Sequence, residues 1–325
     1  MKIVRQLSEI FFERNSVVSV GSFDGVHRAH HELIREVVRR SKEKGGRSVL
    51  VTFEPHPKLI LGPSPKDVRL LTTLEERTDL FGRIDVDLLF VIPFTFEFSR
   101  QSFREFYLKY IVKGVGASEV IEGYDHHFGR DREGSIQELL QMGREFDFSV
   151  IAMKPVTLGN EIVSSSAIRN HLLRGDVTRA AELLGRPYAL NGTVVRGDGR
   201  GKALGYPTAN IAPSSSVKLV PMNGIYVGVI RWKSSASYGL VSIGTRPTFV
   251  ENGDRKVEIY ILDFDGDVYG ESMEIQFFKR LREERKFNTV EELVHQMDAD
   301  KEAGIHAIQE YEKILRQPLA GTNRT

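Results

Sequence analysis

The chain has 325 residues, with 45 Lys and Arg against 44 Asp and Glu and no cysteine. This length predicts two domains, and the formal net charge of +1 provides no overall field that would attract nucleic acid or an anionic membrane. The missing cysteines exclude disulfides, thiolate metal sites and a cysteine nucleophile. Because there is no apolar signal core and no apolar run of roughly 18 residues, we expect a soluble cytoplasmic protein without nucleic-acid or membrane partners. A homo-oligomer stays possible.

The first 185 residues alternate short β-branched runs with helical spacing. Strands are predicted over residues 16–20, 48–53, 86–92, 119–122 and 148–152, and helices over residues 30–44, 73–83, 102–112 and 135–145. Nearly continuous apolar strands separated by helices indicate a parallel sheet covered on both faces. Ligands of such sheets bind beyond the carboxyl ends of the strands. We therefore expect an α/β domain over residues 1–185 with its site at that edge.

A glycine turn with two histidines follows the first of these strands. Its sequence is Gly21-Ser-Phe-Asp-Gly-Val-His-Arg-Ala-His30. Gly21 and Gly25 permit a tight turn and a close approach of ligand to backbone, and the next helix offers free amides and the positive end of its dipole. His27 and His30 are able to donate hydrogen bonds to phosphate. The same spacing is also typical of two surface histidines, so the turn alone leaves both interpretations open.

After residue 185 the pattern changes to strands with little helix between them. Strands are predicted over residues 190–195, 224–232, 237–243, 256–262 and 273–278, and a helix over residues 289–315 with Thr289 as its N-cap. Turn signals such as Asn223-Gly separate the strands. The pattern predicts an antiparallel barrel or sandwich over residues 186–325, with the helix packed across it.

This second domain begins with another glycine-rich stretch. It contains Gly197, Gly199, Gly201 and Lys202. Alternating glycines and cations are typical of a mobile loop that covers phosphates. Glycine-rich hairpins are also common as purely structural elements, so that interpretation stays open. Next comes Gly205-Tyr-Pro-Thr-Ala-Asn210. Its proline fixes a turn, while the oxygens of Thr208 and Asn210 are hard ligands suited to Mg²⁺ that bridges ATP phosphates. The alternative is an ordinary side-chain turn motif.

The first half resembles bacterial FMN adenylyltransferases, a branch of the HxGH nucleotidyltransferases. Its turn at residues 21–30 is similar to the GxFDGxHxGH signature, and three further segments follow in the order of that family: Thr52-Phe-Glu-Pro-His-Pro57, Gly123-Tyr-Asp-His-His-Phe-Gly129 and Ser164-Ser-Ser-Ala-Ile-Arg169. The resemblance implies a Rossmann-like parallel sheet. It also implies ATP or phosphate contacts from Gly21, Phe23, Asp24, Gly25, Ser164, Ser165 and Ser166, catalytic roles for His27, His30 and Arg169, and flavin contacts from Asp125 and Phe128.

Two positions depart from this pattern. Ala29 stands where HxGH has glycine, and His126 stands where GxDFxFG has its first phenylalanine. The extra methyl group of Ala29 is expected to crowd the nucleotide where it approaches the backbone, and His126 is expected to change the packing around the flavin. An alternative therefore stays open in which the first domain is impaired and only the second is active.

The second half resembles riboflavin kinases. Gly205-Tyr-Pro-Thr-Ala-Asn210 is similar to the G(F/Y)PTAN signature, and further matches are Asn223-Gly-Ile-Tyr-Val-Gly228, Ser242-Ile-Gly-Thr-Arg-Pro-Thr-Phe249, Val257-Glu-Ile-Tyr-Ile-Leu-Asp-Phe264 and Leu281-Arg-Glu-Glu-Arg-Lys-Phe287. The resemblance implies phosphate contacts from Gly197, Gly199, Gly201, Lys202, Gly205 and Pro207, a metal site at Thr208 and Asn210, Glu258 as general base and Arg282 beside the flavin. Strand alternation alone makes Glu258 a solvent-facing or ion-paired carboxylate on the face that carries Tyr260.

Together these segments identify the chain as a member of the bifunctional riboflavin kinase/FMN adenylyltransferases, the bacterial FAD synthetases. The resemblance implies phosphorylation of riboflavin to FMN by ATP, then adenylylation of FMN to FAD with release of pyrophosphate. Riboflavin, FMN and ATP are the expected substrates and Mg²⁺ the expected cofactor. Besides the kinase-only alternative, a flavin-binding regulator or structural module is a third interpretation, but such a protein would need neither a base nor a metal site.

Overall fold

The computed structural model describes residues 1–62, 64, 67–124, 134–197, 199, 201, 204–245 and 255–316. The chain divides into two compact units, Met1–Ser165 and Ser166–Thr325. This division places residues 166–185 with the second unit, whereas the sequence assigns them to the first domain. The functional boundary at residues 185/186 stays a prediction.

The first unit is built on a six-stranded parallel sheet. Its strands are β1 (Lys2–Val4), β2 (Ser16–Val20), β3 (Ser48–Glu54), β4 (Leu88–Pro93), β5 (Ala117–Gly123) and β6 (Ser149–Met153), in the order β1-β4-β3-β2-β5-β6. A small hairpin follows, β7 (Thr157–Leu158) and β8 (Glu161–Ile162). The helices are α1 (Arg28–Glu43), α2 (Pro57–Leu61), α3 (Leu74–Gly82), α4 (Phe96–Ser99), α5 (Phe103–Phe106), which continues as a π-helical segment over Tyr107–Val115, and α6 (Ile136–Phe146). The predicted parallel sheet is confirmed.

Strand β2 lies at the centre of this sheet and is buried along its whole length. One apolar layer packs on one face of the sheet with α1, and another packs on the other face with α5 and α6. The chain builds outward from β2 through β3 to β4, then returns to the other side of β2 with β5 and β6. The topological switch point therefore lies between β2 and β5, and ligands of open α/β sheets bind at such a point.

The second unit is built on a closed antiparallel barrel. Two helices lead into it, α7 (Ser165–Leu173), whose first residue ends the first unit, and α8 (Val177–Leu184). The strands are β9 (Tyr188–Val195), β10 (Ala209–Pro213), β11 (Gly224–Trp232), β12 (Ser235–Thr245), β13 (Arg255–Ile261) and β14 (Ser272–Arg282), in the closed order β10-β13-β12-β11-β14-β9. The final helix is α9 (Val290–Arg316). Of the two predicted β architectures, the structure has the barrel.

Helix α9 packs on the outside of the barrel, as predicted. The hydroxyl of Thr289 accepts a hydrogen bond from the amide of Glu292 at 3.1 Å, which is the predicted N-cap. Farther along, Ala307 and Ile308 pack against Leu240 in an apolar cluster on the outer barrel face. Among the described residues there is no helix with the length and apolar character that a membrane span requires.

Candidate active sites

The glycine turn after β2 holds an unfavourable backbone conformation. Phe23 and Val26 have φ values of 48° and 38°, and Gly25 has a φ of 85°. Left-handed angles are unfavourable for a bulky or β-branched residue, and such strain concentrates at ligand-binding sites. The side chains of Phe23 and Val26 are fully packed inside the unit, so the core holds the turn in this shape.

The two predicted catalytic histidines lie together at the start of α1. Their rings are stacked, with centroids 3.6 Å apart, and the ring of Phe23 meets His30 edge-on at 5.4 Å. His27 caps the helix because its Nδ1 accepts the amide hydrogen of His30 at 3.4 Å. A neutral imidazole that accepts through Nδ1 carries its proton on Nε2. This tautomer presents a donor suited to a phosphate oxygen.

Asp24 stabilises the glycine turn through hydrogen bonds inside the first unit. Its buried carboxylate accepts hydrogen bonds from the amides of Leu71 and Thr72 at 2.9 and 3.0 Å, and the Thr72 hydroxyl accepts the amide of Gly25 at 2.8 Å. Ser165 donates through its hydroxyl to the carbonyl of Asp24 at 2.8 Å. The structure therefore brings Ser165 to the glycine turn, and it directs the Asp24 carboxylate to neighbouring backbone.

Arg77, which is not among the predicted site residues, forms hydrogen bonds to two of the motifs. Its side chain is 1% exposed, and Nη1 donates to the Ser22 carbonyl at 2.6 Å and to the Thr52 hydroxyl at 3.0 Å. Nη2 donates to Oε2 of Glu54 at 2.9 Å. Burial lowers the pKa of Arg77. The only sequence signal is its position four residues before Phe81, which places both on the buried face of α3.

A buried carboxylate supports the turn from the other side of the switch point. Oε1 of Glu122, near the end of β5, accepts the amide of Val20 at 2.8 Å. The hydroxyl of Tyr107 donates to the same oxygen at 3.2 Å. Val20 directly precedes Gly21, so this acid fixes the point where the strand becomes the turn.

The remaining predicted residues of the first site are distributed as follows. Ser164 directly precedes α7, and Ser166 and Arg169 lie in its first two turns, on the second-unit side of the division. Ala29 is half-buried in the first turn of α1. Asp125, His126 and Phe128 lie outside the described residues.

A cavity of about 410 Å³ lies at the carboxyl end of β4. Its lining includes the apolar residues Phe90 and Ile92, the aromatic residues Phe98 and Tyr110, and the polar residues Arg5, Gln101 and Lys109. The Oε1 atom of Gln101 is buried and has no hydrogen-bond partner in the described part of the chain. The volume falls within the range of about 300–1,000 Å³ that is typical of small-molecule sites.

The second site is a row of polar side chains across three barrel strands. Glu258 on β13 lies directly opposite Asn210 on β10 and directly opposite Ser242 on β12. Opposite residues in antiparallel strands share one face of the sheet and have Cβ atoms about 4.5–5.5 Å apart. Val257 and Ile259 are buried inside the barrel, so the row faces outward, as alternation predicts.

The glycine stretch packs directly against this row. A Cβ atom on Gly197 would lie 2.0 Å from Nδ2 of Asn210, and one on Gly201 would lie 2.9 Å from Oγ1 of Thr208. A side chain at Gly197 would displace Asn210, and one at Gly201 would also lie 2.3 Å from the Tyr206 carbonyl oxygen. Gly205 has a φ of 81°, and Gly199 and Pro207 are exposed in the same segment. Lys202 lies outside the described residues.

The described residues contain no cluster of three or more His, Asp or Glu side chains that would hold a metal alone. This donor set fits Mg²⁺ bound with a nucleotide, because Mg²⁺ in such sites takes few protein oxygens and several phosphate oxygens. Thr208 and Asn210 are the two oxygen donors beside the glycine stretch.

Helix α9 contributes two acids to the surroundings of this row. Nε and Nη2 of Arg282 donate to the two carboxylate oxygens of Asp300, each at 2.7 Å. The hydroxyl of Tyr206 donates to Asp298, and burial, followed by this hydrogen bond, raises the pKa of Tyr206 to about 12. Neither acid was selected from the sequence.

Comparisons with known proteins address both halves of the chain. Residues 10–167 match a family model described as FAD synthetase, and residues 184–308 match one described as riboflavin kinase. A bifunctional riboflavin kinase/FMN adenylyltransferase from Listeria monocytogenes is 35% identical over 288 residues, which cover 89% of this chain and 91% of the relative. The Bacillus subtilis protein of the same name is 33% identical, with coverages of 90% and 92%.

A solved structure shares the fold of the whole chain. It is titled a macrolide-efflux protein from Streptococcus pneumoniae, and it is similar with a TM-score of 0.84 and 32% identity, covering 93% of this chain and 98% of that chain. Its title names efflux, whereas both family models and the curated relatives name flavin phosphorylation or flavin nucleotide synthesis.

Proposed function

The chain belongs to the family of bifunctional riboflavin kinase/FMN adenylyltransferases, and we propose how its residues divide the two reactions of that family. The function predicted from the sequence, formation of FMN and then FAD, is confirmed at the level of the family. We assign adenylylation to residues 1–185 and phosphorylation to residues 186–325, both in the cytoplasm. Slower adenylylation because of Ala29 and His126 stays a prediction.

For the kinase reaction, Glu258 accepts the proton of the riboflavin 5′-hydroxyl while that oxygen attacks the γ-phosphorus of ATP. A bond from oxygen to phosphorus forms, the bond to the β-phosphate oxygen breaks, and ADP leaves. Asn210 and Thr208 would hold Mg²⁺, which would supply positive charge to neutralise the phosphate oxygens of ATP. Gly197 and Gly201 support this assignment, since both lie against those side chains.

For the adenylyltransferase reaction, an oxygen of the FMN phosphate attacks the α-phosphorus of ATP and pyrophosphate leaves. His27 donates through Nε2–H to the phosphate oxygens as charge develops there, with His30 beside it. The amides of the glycine turn and the start of α1 bind the remaining phosphate charge. Ser165 and Arg169 complete this predicted site, and no enzyme nucleophile is required.

We also assign the cavity at the end of β4 to the flavin ring during adenylylation. Its aromatic walls suit stacking on a flat heterocycle, and the buried Gln101 oxygen suits a ring N–H. Arg282 stays the predicted flavin contact of the kinase site. Asp125 and Phe128 stay predicted flavin contacts of the adenylyltransferase site.

The observation that carries the proposal is the row of Asn210, Glu258 and Ser242 beside the glycine stretch. The test measures both reactions in Glu258→Gln and His30→Ala variants of the full chain. Glu258→Gln is expected to slow FMN formation by about 10²-fold or more while FAD formation from supplied FMN is unchanged. His30→Ala is expected to do the reverse.

Glu274→Gln is the matched control, because Glu274 is a half-buried carboxylate on the same barrel but outside the row. Loss of both reactions in either site variant would contradict the two-site assignment. Incubation of the unmodified chain with riboflavin, ATP and Mg²⁺ is expected to yield FAD. FMN as the sole product would support the kinase-only alternative.

A further inference from the structure

We propose that Asp298 and Asp300 on α9 are positioning residues for the kinase reaction, each acting on a different substrate. Asp298 acts through Tyr206 on the segment that holds ATP and Mg²⁺, and Asp300 acts through Arg282 on the riboflavin side. This inference rests on the proposed kinase site. It adds α9, which neither signature motif includes, to the machinery of that site.

The contact to the ATP side is made by Tyr206. This residue is 7% exposed, and its amide donates to the carbonyl of Gly201 at 2.9 Å, so it anchors the glycine stretch. Thr208 follows two residues later in the same segment. The hydroxyl of Tyr206 donates to Asp298. A single residue therefore connects the helix, through its side chain, to the glycine stretch and the segment of Thr208, through its backbone.

The same tyrosine also reaches the row that contains the base. Its ring meets Tyr260 edge-on, with centroids 5.1 Å apart, and Tyr260 lies two residues from Glu258 on the same face of β13. Nζ of Lys301, in the next turn of α9, lies 6.0 Å from the Tyr260 ring. The helix thus contacts both neighbours of the reacting groups.

The contact to the riboflavin side is the bidentate ion pair between Arg282 and Asp300. Arg282 and Asp300 have side chains that are 14% and 9% exposed, respectively. Nε and Nη2 donate to separate carboxylate oxygens, and the side-chain Nε2 of Gln296 donates to Oδ1 of Asp300 at 3.0 Å. A bidentate pair of hydrogen bonds fixes the plane of a guanidinium group as well as its position. Arg282 is therefore presented in one orientation.

The docking of α9 itself has a separate cause. Farther along the helix, the ring of Tyr311 is stacked on Phe278 with centroids 4.3 Å apart, and Gly304 permits close approach to Leu240. These apolar contacts hold the helix on the barrel without either acid. Residues two positions apart on a helix project about 160° apart, and Asp300 is buried whereas Asp298 is exposed, so the two acids lie on different sides of the helix and meet different partners.

The test compares the KM for ATP with the KM for riboflavin in variants of each contact. Asp298→Ala and Tyr206→Phe are each expected to raise the KM for ATP about three- to tenfold, as loss of one hydrogen bond implies, with the KM for riboflavin unchanged. Asp298→Asn keeps an acceptor and is expected to restore most of the ATP affinity. Asp300→Ala is expected to raise the KM for riboflavin at least about tenfold and to leave the KM for ATP unchanged.

Two controls keep the result specific, and one variant has a further ground for folding. Glu302→Ala removes an exposed acid from the same helix and is expected to leave both constants unchanged. FAD formation from supplied FMN, measured on every variant, checks the rest of the chain. Tyr206→Phe creates the other residue of the G(F/Y)PTAN signature, so it is expected to fold.

An equal rise of both constants in the Asp298 and Asp300 variants would overturn the inference, because a helix that only braces the barrel affects the two substrates alike. Unchanged constants would overturn it too. Glu258→Gln is assayed in parallel. If that variant still forms FMN at the normal rate, the proposed base is wrong, which is a different failure from a missing separation of constants.

Discussion

Replacement of Arg77 by methionine is expected to weaken the first unit selectively. Methionine keeps the length and apolar stem of the side chain but removes the guanidinium, which donates to the Ser22 carbonyl, the Thr52 hydroxyl and Glu54. These three acceptors belong to the glycine turn and to β3. The change therefore disconnects the turn from its neighbouring strand while it leaves the barrel sequence intact.

The expected loss follows from what each acceptor then lacks. Thr52 is fully buried, and without Arg77 its hydroxyl keeps only a long hydrogen bond of 3.4 Å to the Ser22 carbonyl, so the loss at this site is about 1–3 kcal/mol. The Ser22 carbonyl belongs to a half-buried residue and keeps the Thr52 hydroxyl as a donor, so it adds little. Glu54 is 36% exposed, so water can solvate its carboxylate when Arg77 is lost, and Glu54 contributes little to the loss of unfolding free energy. Because the desolvation of Arg77 is relieved as well, we expect a net loss of about 1–3 kcal/mol of unfolding free energy.

Urea denaturation measures this loss with an internal reference. The chain has one tryptophan, Trp232 at the end of β11, so tryptophan fluorescence reports on the barrel while FAD formation from FMN reports on the first unit. With a denaturant slope of about 2 kcal/mol per molar urea, a loss of about 2 kcal/mol shifts the midpoint of FAD formation by about 1 M.

Arg77→Lys is the matched variant for this measurement. Lysine keeps the positive charge but lacks the planar guanidinium with its several N–H donors. Arg77→Lys is therefore expected to shift the midpoint about half as far as Arg77→Met does. An unchanged midpoint in Arg77→Met would refute the role given to this side chain. An equal shift of the fluorescence transition would refute its restriction to the first unit.

Three further predictions concern residues of the first unit. Burial raises the pKa of Tyr107 well above its usual value. Since the unfolded phenol ionises at about pH 10 and the folded one does not, stability falls as the pH rises above that value, and Tyr107→Phe is expected to reduce this slope when FAD formation from FMN is followed in denaturation curves recorded across pH. Gly116 has a φ of 82° and would place a Cβ 2.6 Å from the Glu13 carbonyl oxygen, so Gly116→Ala is expected to lower the melting temperature by more than Gly45→Ala, whose φ is also positive but whose surroundings are open. Asp24→Asn places an NH₂ group against backbone donors and is expected to cost about 1–3 kcal/mol, with FAD formation lost at lower urea and FMN formation unaffected.

Local sequence signals were sufficient for the main elements of both units. The β-branched run of β2 followed by a glycine turn predicted the strand, the edge and the position of His27, because these features depend on neighbouring residues. Strand alternation predicted the outward direction of Glu258. In contrast, β10 was missed because its five residues include a proline and give too short a pattern for periodicity to register.

The contacts that tune the sites could not be predicted. Tyr206 and Asp298 are 92 residues apart in the chain, and no local pattern states which residues a folded chain brings together. The residues next to Arg77 in the sequence are typical of an amphipathic helix on which an arginine is solvated. Only the packing of α3 in the folded unit shows that Arg77 is buried. Both cases are side chains whose partners come from distant segments.

The barrel row that carries Glu258 has a consequence for heat inactivation. Its three members come from three different strands of a ring that closes on itself, and a closed ring has no terminal strand that can fray. The row therefore cannot loosen by local opening, only by collapse of the whole ring. Riboflavin phosphorylation should persist on warming until the barrel melts as a unit, and then cease abruptly.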